Sequence, residues 1–231
     1  MNHSIQKPMQ KVLFTSVFVR IWHWINALSI VTLILTGLQV RFPEGMTLFG
    51  DYRNAVALHN TAGITACVCF LFWVIYYGEA ARTLVKFYVP TKRDLWPGLI
   101  AQGRFYVWGF FQGEPHPYET TLDQRFNPLQ KLGYFAVMFV LVPVICLSGL
   151  LLFNIPELRQ WLFLVGGIKL LIGIHFLVGA SFLAFLFVHI YLATMGHTIF
   201  AHFKPMWTGW ETLESPHSSE NDVKQGGAEP K

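Results

Sequence analysis

Four apolar stretches alternate with polar and aromatic connections along the chain, from about Val17 to Val40, Ala55 to Tyr77, Leu132 to Phe153 and Ile168 to Met195. A helix needs about 20 mainly apolar residues to cross a hydrocarbon core about 30 Å thick, and each stretch reaches that length. The pattern predicts an all-α membrane protein, a four-transmembrane-helix bundle. Pro143 falls inside the third stretch, where a membrane span tolerates a kink. Leu95 to Phe111 is also apolar and aromatic, but Pro97, Gln102 and Arg104 interrupt it. It predicts an interfacial helix between helices 2 and 3, in the membrane plane, and not a fifth crossing. From about Ser215 the chain is Ser-, Glu- and Gly-rich without periodicity, so a disordered tail over 215–231 is expected behind a membrane domain over 1–214.

Composition agrees with a bilayer as solvent: only 13% of the 231 residues are charged, against about 25% in soluble domains. The net charge of +4 raises the question of nucleic acid, but the basic residues lie in connecting segments and not on one face, so no nucleic-acid partner is expected. They decide orientation instead. Of 17 Lys and Arg residues, thirteen fall on the side of the N-terminus, while Arg41, Arg53, Arg159 and Lys169 fall on the other. The positive-inside rule then places both termini in the cytoplasm. Lys7 and Lys11 precede the first stretch, which exceeds signal-peptide length and has no small-residue cleavage pattern after it, so it reads as a retained anchor. Cys67, Cys69 and Cys146 lie within apolar stretches, and their odd number and depth argue against a disulfide framework. No Cys-x-x-Cys-His occurs, so any haem is held without thioether attachment.

The chemistry lies in histidines. Ionisable side chains inside a membrane are costly and mark function. His175 and His189 lie fourteen residues apart in the fourth stretch, on nearly one helix face and roughly 21 Å apart along the axis. His23 lies near the cytoplasmic start of the first stretch, level with His189. His59 opens the second stretch from the opposite face, level with His175. Depth alone sorts the four into the pairs His23/His189 and His59/His175. Two neutral imidazoles suit the axial positions of haem b, and an iron with both filled transfers electrons and does not activate oxygen. Gly63 follows His59 by four residues and Gly179 so follows His175; these, with Gly37, Gly149 and Gly173, fit either close helix packing or room for a macrocycle. His197 and His202 follow the fourth stretch at the surface, and His3, His116 and His217 lie in polar segments.

These residues carry a family likeness. Arg20-Ile-Trp-His23-Trp, His175-x13-His189-Ile-Tyr and Met206-Trp-Thr-Gly-Trp-Glu211 resemble di-haem b-type cytochrome membrane subunits of respiratory oxidoreductases. That group includes the formate dehydrogenase gamma subunit and the cytochrome b subunits of thiosulfate reductase and nickel–iron hydrogenase. The resemblance extends over about residues 12 to 214. It implies two haems b, with His23 and His189 as axial ligands of the cytoplasmic-side haem and His59 and His175 as ligands of the outer one. Asn127-Pro-Leu-Gln130-Lys131 is similar to a motif that in the gamma subunits lies beside a quinone site, which implies a quinone or quinol substrate and makes Asn127, Gln130 and Lys131 candidate quinone contacts. Amide and ammonium donors suit quinone carbonyls.

The expected function is that of a membrane-anchoring subunit of the bacterial inner membrane, carrying electrons between the quinone pool and a periplasmic partner. That partner would be an iron–sulfur or multihaem protein docking on the loops Arg41 to Asn54 and Asn154 to Gly167. The alternative is a stand-alone di-haem cytochrome that oxidises a small diffusible reductant with quinone as acceptor. A histidine-lined metal-ion transporter is a third reading, and it requires acidic residues at membrane depth. No Asp or Glu lies within the four stretches as drawn, and Glu79 sits just beyond the second.

Overall fold

The computed structural model describes residues 9–80, 82–118, 126–163, 166–194 and 203–214. In chain order these form β1 (Met9–Leu13), α1 (Val17–Arg41), α2 (Tyr52–Ile75), α3 (Leu84–Tyr88), α4 (Leu99–Val107) and α5 (Pro128–Ala136). There follow α6 (Val142–Phe153), α7 (Ile155–Leu162), α8 (Gly167–Thr194), α9 (Lys204–Thr208) and β2 (Trp210–Glu214). His3, His197, His202, His217 and the expected tail over 215–231 lie outside the described residues.

Four helices are long and apolar enough to cross a membrane: Val17–Arg41, Tyr52–Ala80, Pro128–Phe153 and Gly167–Thr194. The expected bundle is therefore present, with starts set by polar caps that hydropathy does not register. Asp51 Oδ1 accepts from Asn54 N at 2.8 Å, so α2 begins at Tyr52, before the apolar run. Asn127 and Gln130 form a reciprocal capping box, so the third crossing begins at Pro128 and not near Leu132. Within that crossing a π turn over Val137–Leu141 joins α5 to α6. Pro143 has no N–H to offer the carbonyl four residues back, and the ladder widens just before it.

Burial is inverted relative to a soluble bundle. Leu28, Leu71 and Leu177 face outward, while Thr36, Gln39 and Ser148 are buried between helices. With lipid outside, the interior is where polar groups find partners. The segment over 95–111 forms a π turn, the nine-residue α4 and a 3-10 turn. Nine residues reach about 14 Å, too short to cross. A Cβ on Gly98 would lie 2.8 Å from the Pro128 ring, so this approach to the start of α5 requires glycine. Nearby, Trp73, Tyr77 and Tyr88 form a buried aromatic core with Phe126, Tyr134 and Phe139 around it.

Two features depart from the sequence expectation. The stretch over 154–167, expected as a loop, contains α7, with Pro156 in its first turn and Leu162 buried. The segments flanking the bundle pair as antiparallel strands, Met9 opposite Glu214 and Leu13 opposite Trp210. The chain before α1 and the chain after α8 therefore meet at one end of the bundle.

Candidate cofactor site between the helices

The helices bring the four intramembrane histidines together in two pairs. At the end carrying β1 and β2, His23 of α1 faces His189 of α8 with ring centroids 6.2 Å apart. At the other end, His59 of α2 faces His175 of α8 at 6.1 Å. All four histidines are partly buried, and the most exposed positions around them on these helices are aliphatic and aromatic.

The second pair is held by two matching devices. Thr36 Oγ1 lies 2.9 Å from His59 Nδ1, and Ser148 Oγ lies 2.9 Å from His175 Nδ1. The residue after each hydroxyl is glycine, and it lies against the same imidazole. A Cβ on Gly37 would stand 3.3 Å from His59 Cε1, and one on Gly149 would stand 3.3 Å from His175 Cε1. Gly63, by contrast, approaches only Leu33, and a Cβ on Gly173 or Gly179 would meet no protein atom within 4 Å. The glycines in contact with the rings thus come from the facing helices, and not from the histidines' own helices. The hydroxyls were not singled out from sequence; the repeated Thr-Gly and Ser-Gly dipeptides at membrane depth are the signal for them.

The first pair is held differently. His23 meets Trp24 edge-on at 5.4 Å, and His189 stacks on Phe185 at 5.6 Å. Around it the two sequence motifs bind each other. Arg20 Nη1 donates to Trp207 O at 2.5 Å, and Trp24 Nε1 donates to Met206 O at 3.0 Å. Gly209, at φ 83°, turns the chain so that its carbonyl accepts from Phe14 N and Thr15 N. The C-terminal segment thereby pins the start of the helix that carries His23.

Two features would suit a haem between each pair, and a third would suit the pair that includes His23. The ring-centroid separations of 6.2 and 6.1 Å would leave room for one metal ion between the two imidazoles of each pair. Among the described residues no three His, Cys, Asp or Glu side chains gather at one point, so each pair is a two-nitrogen set. Such a set suits a metal whose other positions a macrocycle fills. Arg20 Nε, one turn before His23, is desolvated and has no acceptor among the described residues, which suits a porphyrin carboxylate.

The candidate quinone contacts lie together at the start of the third crossing, and each has a structural partner. Asn127 Oδ1 accepts from Gln130 N at 2.9 Å, and Gln130 Oε1 accepts from Asn127 N at 3.2 Å. Asn127 Nδ2 donates to Tyr106 Oη at 2.9 Å, a hydroxyl that sequence reading did not assign. Burial pushes the Tyr106 phenol above its usual range, so it stays a neutral hydroxyl. Lys131 Nζ pairs with Asp94 Oδ2 at 3.0 Å, with both side chains largely buried. Burial pushes the Asp94 carboxyl up, but hydrogen bonds from Thr91 N and Thr91 Oγ1 and the Lys131 ammonium outweigh it, leaving a net shift below the usual value. The three cysteines are free thiols.

Comparison with known proteins places this geometry in context. The sequence profile of the family described as prokaryotic cytochrome b561 matches residues 15–209. A cytochrome named YdhU from Escherichia coli (strain K12) is 34% identical over 87% of this chain and 75% of its own length. A "Probable Ni/Fe-hydrogenase B-type cytochrome subunit" of Azotobacter vinelandii is 32% identical over 58% of this chain and 56% of its own length. YedZ1 of Azospira oryzae, named as a protein-methionine-sulfoxide reductase subunit, is 24% identical over 77% of this chain and 88% of its own. The match thus spans little more than half the length of the hydrogenase subunit.

Proposed function

Because the chain belongs to the prokaryotic cytochrome b561 family, and is a multi-pass membrane b-type cytochrome of electron transfer, we propose that it holds two haems b and links a quinone pool to a partner subunit. His23 and His189 would hold one haem, and His59 and His175 would hold the other. The observation that carries this reading is the pair of imidazole couples, at 6.2 and 6.1 Å, at two levels of one bundle. When bound, each haem supplies a one-electron carrier whose iron has no vacant position for a substrate. The chain's own residues position the imidazoles and set the separation of the two levels along α8.

Asn127, Gln130 and Lys131, with Tyr106, are assigned to the edge of a quinone site at the end where β1 and β2 pair. Tyr106 brings a neutral hydroxyl there, and the buried Lys131–Asp94 pair fixes the start of the third crossing beside it. In this reading that end faces the cytoplasm, in keeping with the Lys and Arg excess on its side. The partner is a catalytic or electron-transfer subunit, iron–sulfur or multihaem, on the periplasmic side. Its docking surface comprises the loop over 42–51 and α7. Gln39 fastens that loop by donating to Gly50 O and accepting from Phe49 N, both at 2.9 Å. Trp161 and Phe163 on the α7 side are 59% and 83% exposed, an apolar patch for a partner and for the bilayer edge.

Pyridine haemochrome quantitation of the purified chain tests this. Two haems b per chain are expected, falling to one in His175→Ala and to a different one in His189→Ala. A single haem in the unmodified chain, or both haems intact in His175→Ala, overturns the assignment.

A further inference from the structure

Thr36 Oγ1 and Ser148 Oγ each lie 2.9 Å from an imidazole Nδ1, and each also lies within hydrogen-bond distance of a carbonyl of its own helix. Thr36 Oγ1 donates to Thr32 O at 2.6 Å, and Ser148 Oγ donates to Ile145 O at 3.1 Å, each within its own helix. A hydroxyl has one hydrogen and two lone pairs. With the hydrogen given to a carbonyl, what each hydroxyl offers its imidazole is a lone pair. His59 Nδ1 and His175 Nδ1 must then be the donors, which puts the ring proton on Nδ1 and leaves Nε2 bare. Both rings are set in the tautomer that a metal at Nε2 requires, by the same chemistry on two different helices.

The other pair lacks this device. Neither His23 nor His189 has a hydrogen-bond partner among the described residues, and both rest on aromatic faces and edges. A ring whose N–H donates to an oxygen is a more basic ligand than one that does not. A more basic ligand favours the oxidised, more highly charged metal and lowers its reduction potential.

We infer that Thr36 and Ser148 are positioning residues that lock His59 and His175 in the Nδ1–H tautomer and make their haem the lower-potential member of the pair. The inference rests on the two-haem assignment above. Gly37 and Gly149 belong to the same device, because each lets its hydroxyl-bearing helix approach until the neighbouring oxygen reaches the ring. The inequality gives the chain a downhill direction, from the level of His59 and His175 toward the level of His23 and His189.

The test is an optical and EPR redox titration of the membrane protein with both haems loaded, using Thr36→Val, Ser148→Ala and the double variant. The component that disappears in His175→Ala identifies the haem concerned. Expected results are that this component titrates at lower potential than the other in the unmodified chain. Each variant should move its midpoint upward and change its ferric low-spin EPR signal, the double variant by more than either single one, while the other component stays in place. Thr36→Ser and Ser148→Thr, which keep the hydroxyl, restore the original values. Ser148→Ala removes a single oxygen and carries the test alone if Thr36→Val loads poorly. Unchanged midpoints and spectra in the variants, equal movement of both components, or no rescue by the hydroxyl-keeping variants overturns the inference. Fewer than two haems in the unmodified chain overturns the two-haem reading itself, a separate result read before any variant is made.

Discussion

The two ends of the bundle hold nearly identical imidazole pairs by unlike means. At the His59/His175 end, the support is internal: a hydroxyl from each facing helix lies 2.9 Å from each ring, and the glycine after it leaves the room that a Cβ would take. At the His23/His189 end, the support is peripheral. Aromatic rings flank the imidazoles, and the segment after α8 ties down the helix start through Arg20, Trp24 and Gly209. At the end closed by the loop over 42–51, the loop backbone is bonded to Gln39, and the hydrogen bonds to the imidazoles come from hydroxyls inside the bundle. The other end has the backbone of β1 and of residues 203–214 to use as a clamp. Ring spacing is thus conserved across the molecule, while the chemistry behind each ring is not.

Breaking the internal support should have the largest effect. Gly149→Val puts branched carbon where a Cβ alone would stand 3.3 Å from His175 Cε1, so the ring has to shift from its place against α6. Loss of one of the two haems is expected, with the other retained, read by pyridine haemochrome content against folded protein. Retention of both would mean that α6 can move away from α8 at little cost, and the two ends would not differ in kind.

The peripheral clamp should break more gently. At Gly209 the φ of 83° is unfavourable for any side chain, and a Cβ would stand 2.8 Å from Thr15 O. Gly209→Ala should cost about 1–3 kcal/mol of stability, seen as a lower thermal unfolding midpoint, with both haems still bound. Trp24→Phe removes the 3.0 Å hydrogen bond to Met206 O and leaves a smaller ring against Trp207 and His23; the hydrogen bond accounts for about 0.5–1.5 kcal/mol of the cost. If either variant lost the His23/His189 haem while remaining folded, the clamp would be part of the ligand support and not a brace around it.

The contrast between the ends also separates what the residues declare from what they conceal. The four crossings and the histidine pairing were legible because hydropathy and the 3.6-residue period act along a single helix, and because Ile168 to Met195 carries both levels of histidine at once. The hydroxyl supports were not, since Thr36 lies 23 residues from His59 and Ser148 lies 27 from His175. Only the approach of two helices makes those contacts, and a lone Thr or Ser in a span is ordinary. The β1–β2 pairing was hidden for the same reason: its partners lie at opposite ends of the chain. At the candidate quinone edge, Asn127, Gln130 and Lys131 stood out by type, but Asp94 and Tyr106, which complete their hydrogen bonding, did not.

That edge permits a last, finer measurement. Lys131 and Asp94 are buried together, so Lys131→Met leaves a desolvated carboxylate held only by the two Thr91 hydrogen bonds, a loss bounded by the about 3–5 kcal/mol of a fully broken buried pair. Its dependence on pH follows from the sign of the Asp94 shift. The folded carboxyl sits below its unfolded value near 3.9, so its contribution is complete above about pH 4 and fades as the pH falls through the lower folded value. Protonation removes the charge that Lys131 neutralises. The stability gap between Lys131→Met and the unmodified chain should therefore be constant from pH 5 to 7 and narrow below about pH 4. A gap independent of pH down to about 3 would mean that Lys131 acts there through packing and that the ion pair contributes nothing to holding the third crossing in place.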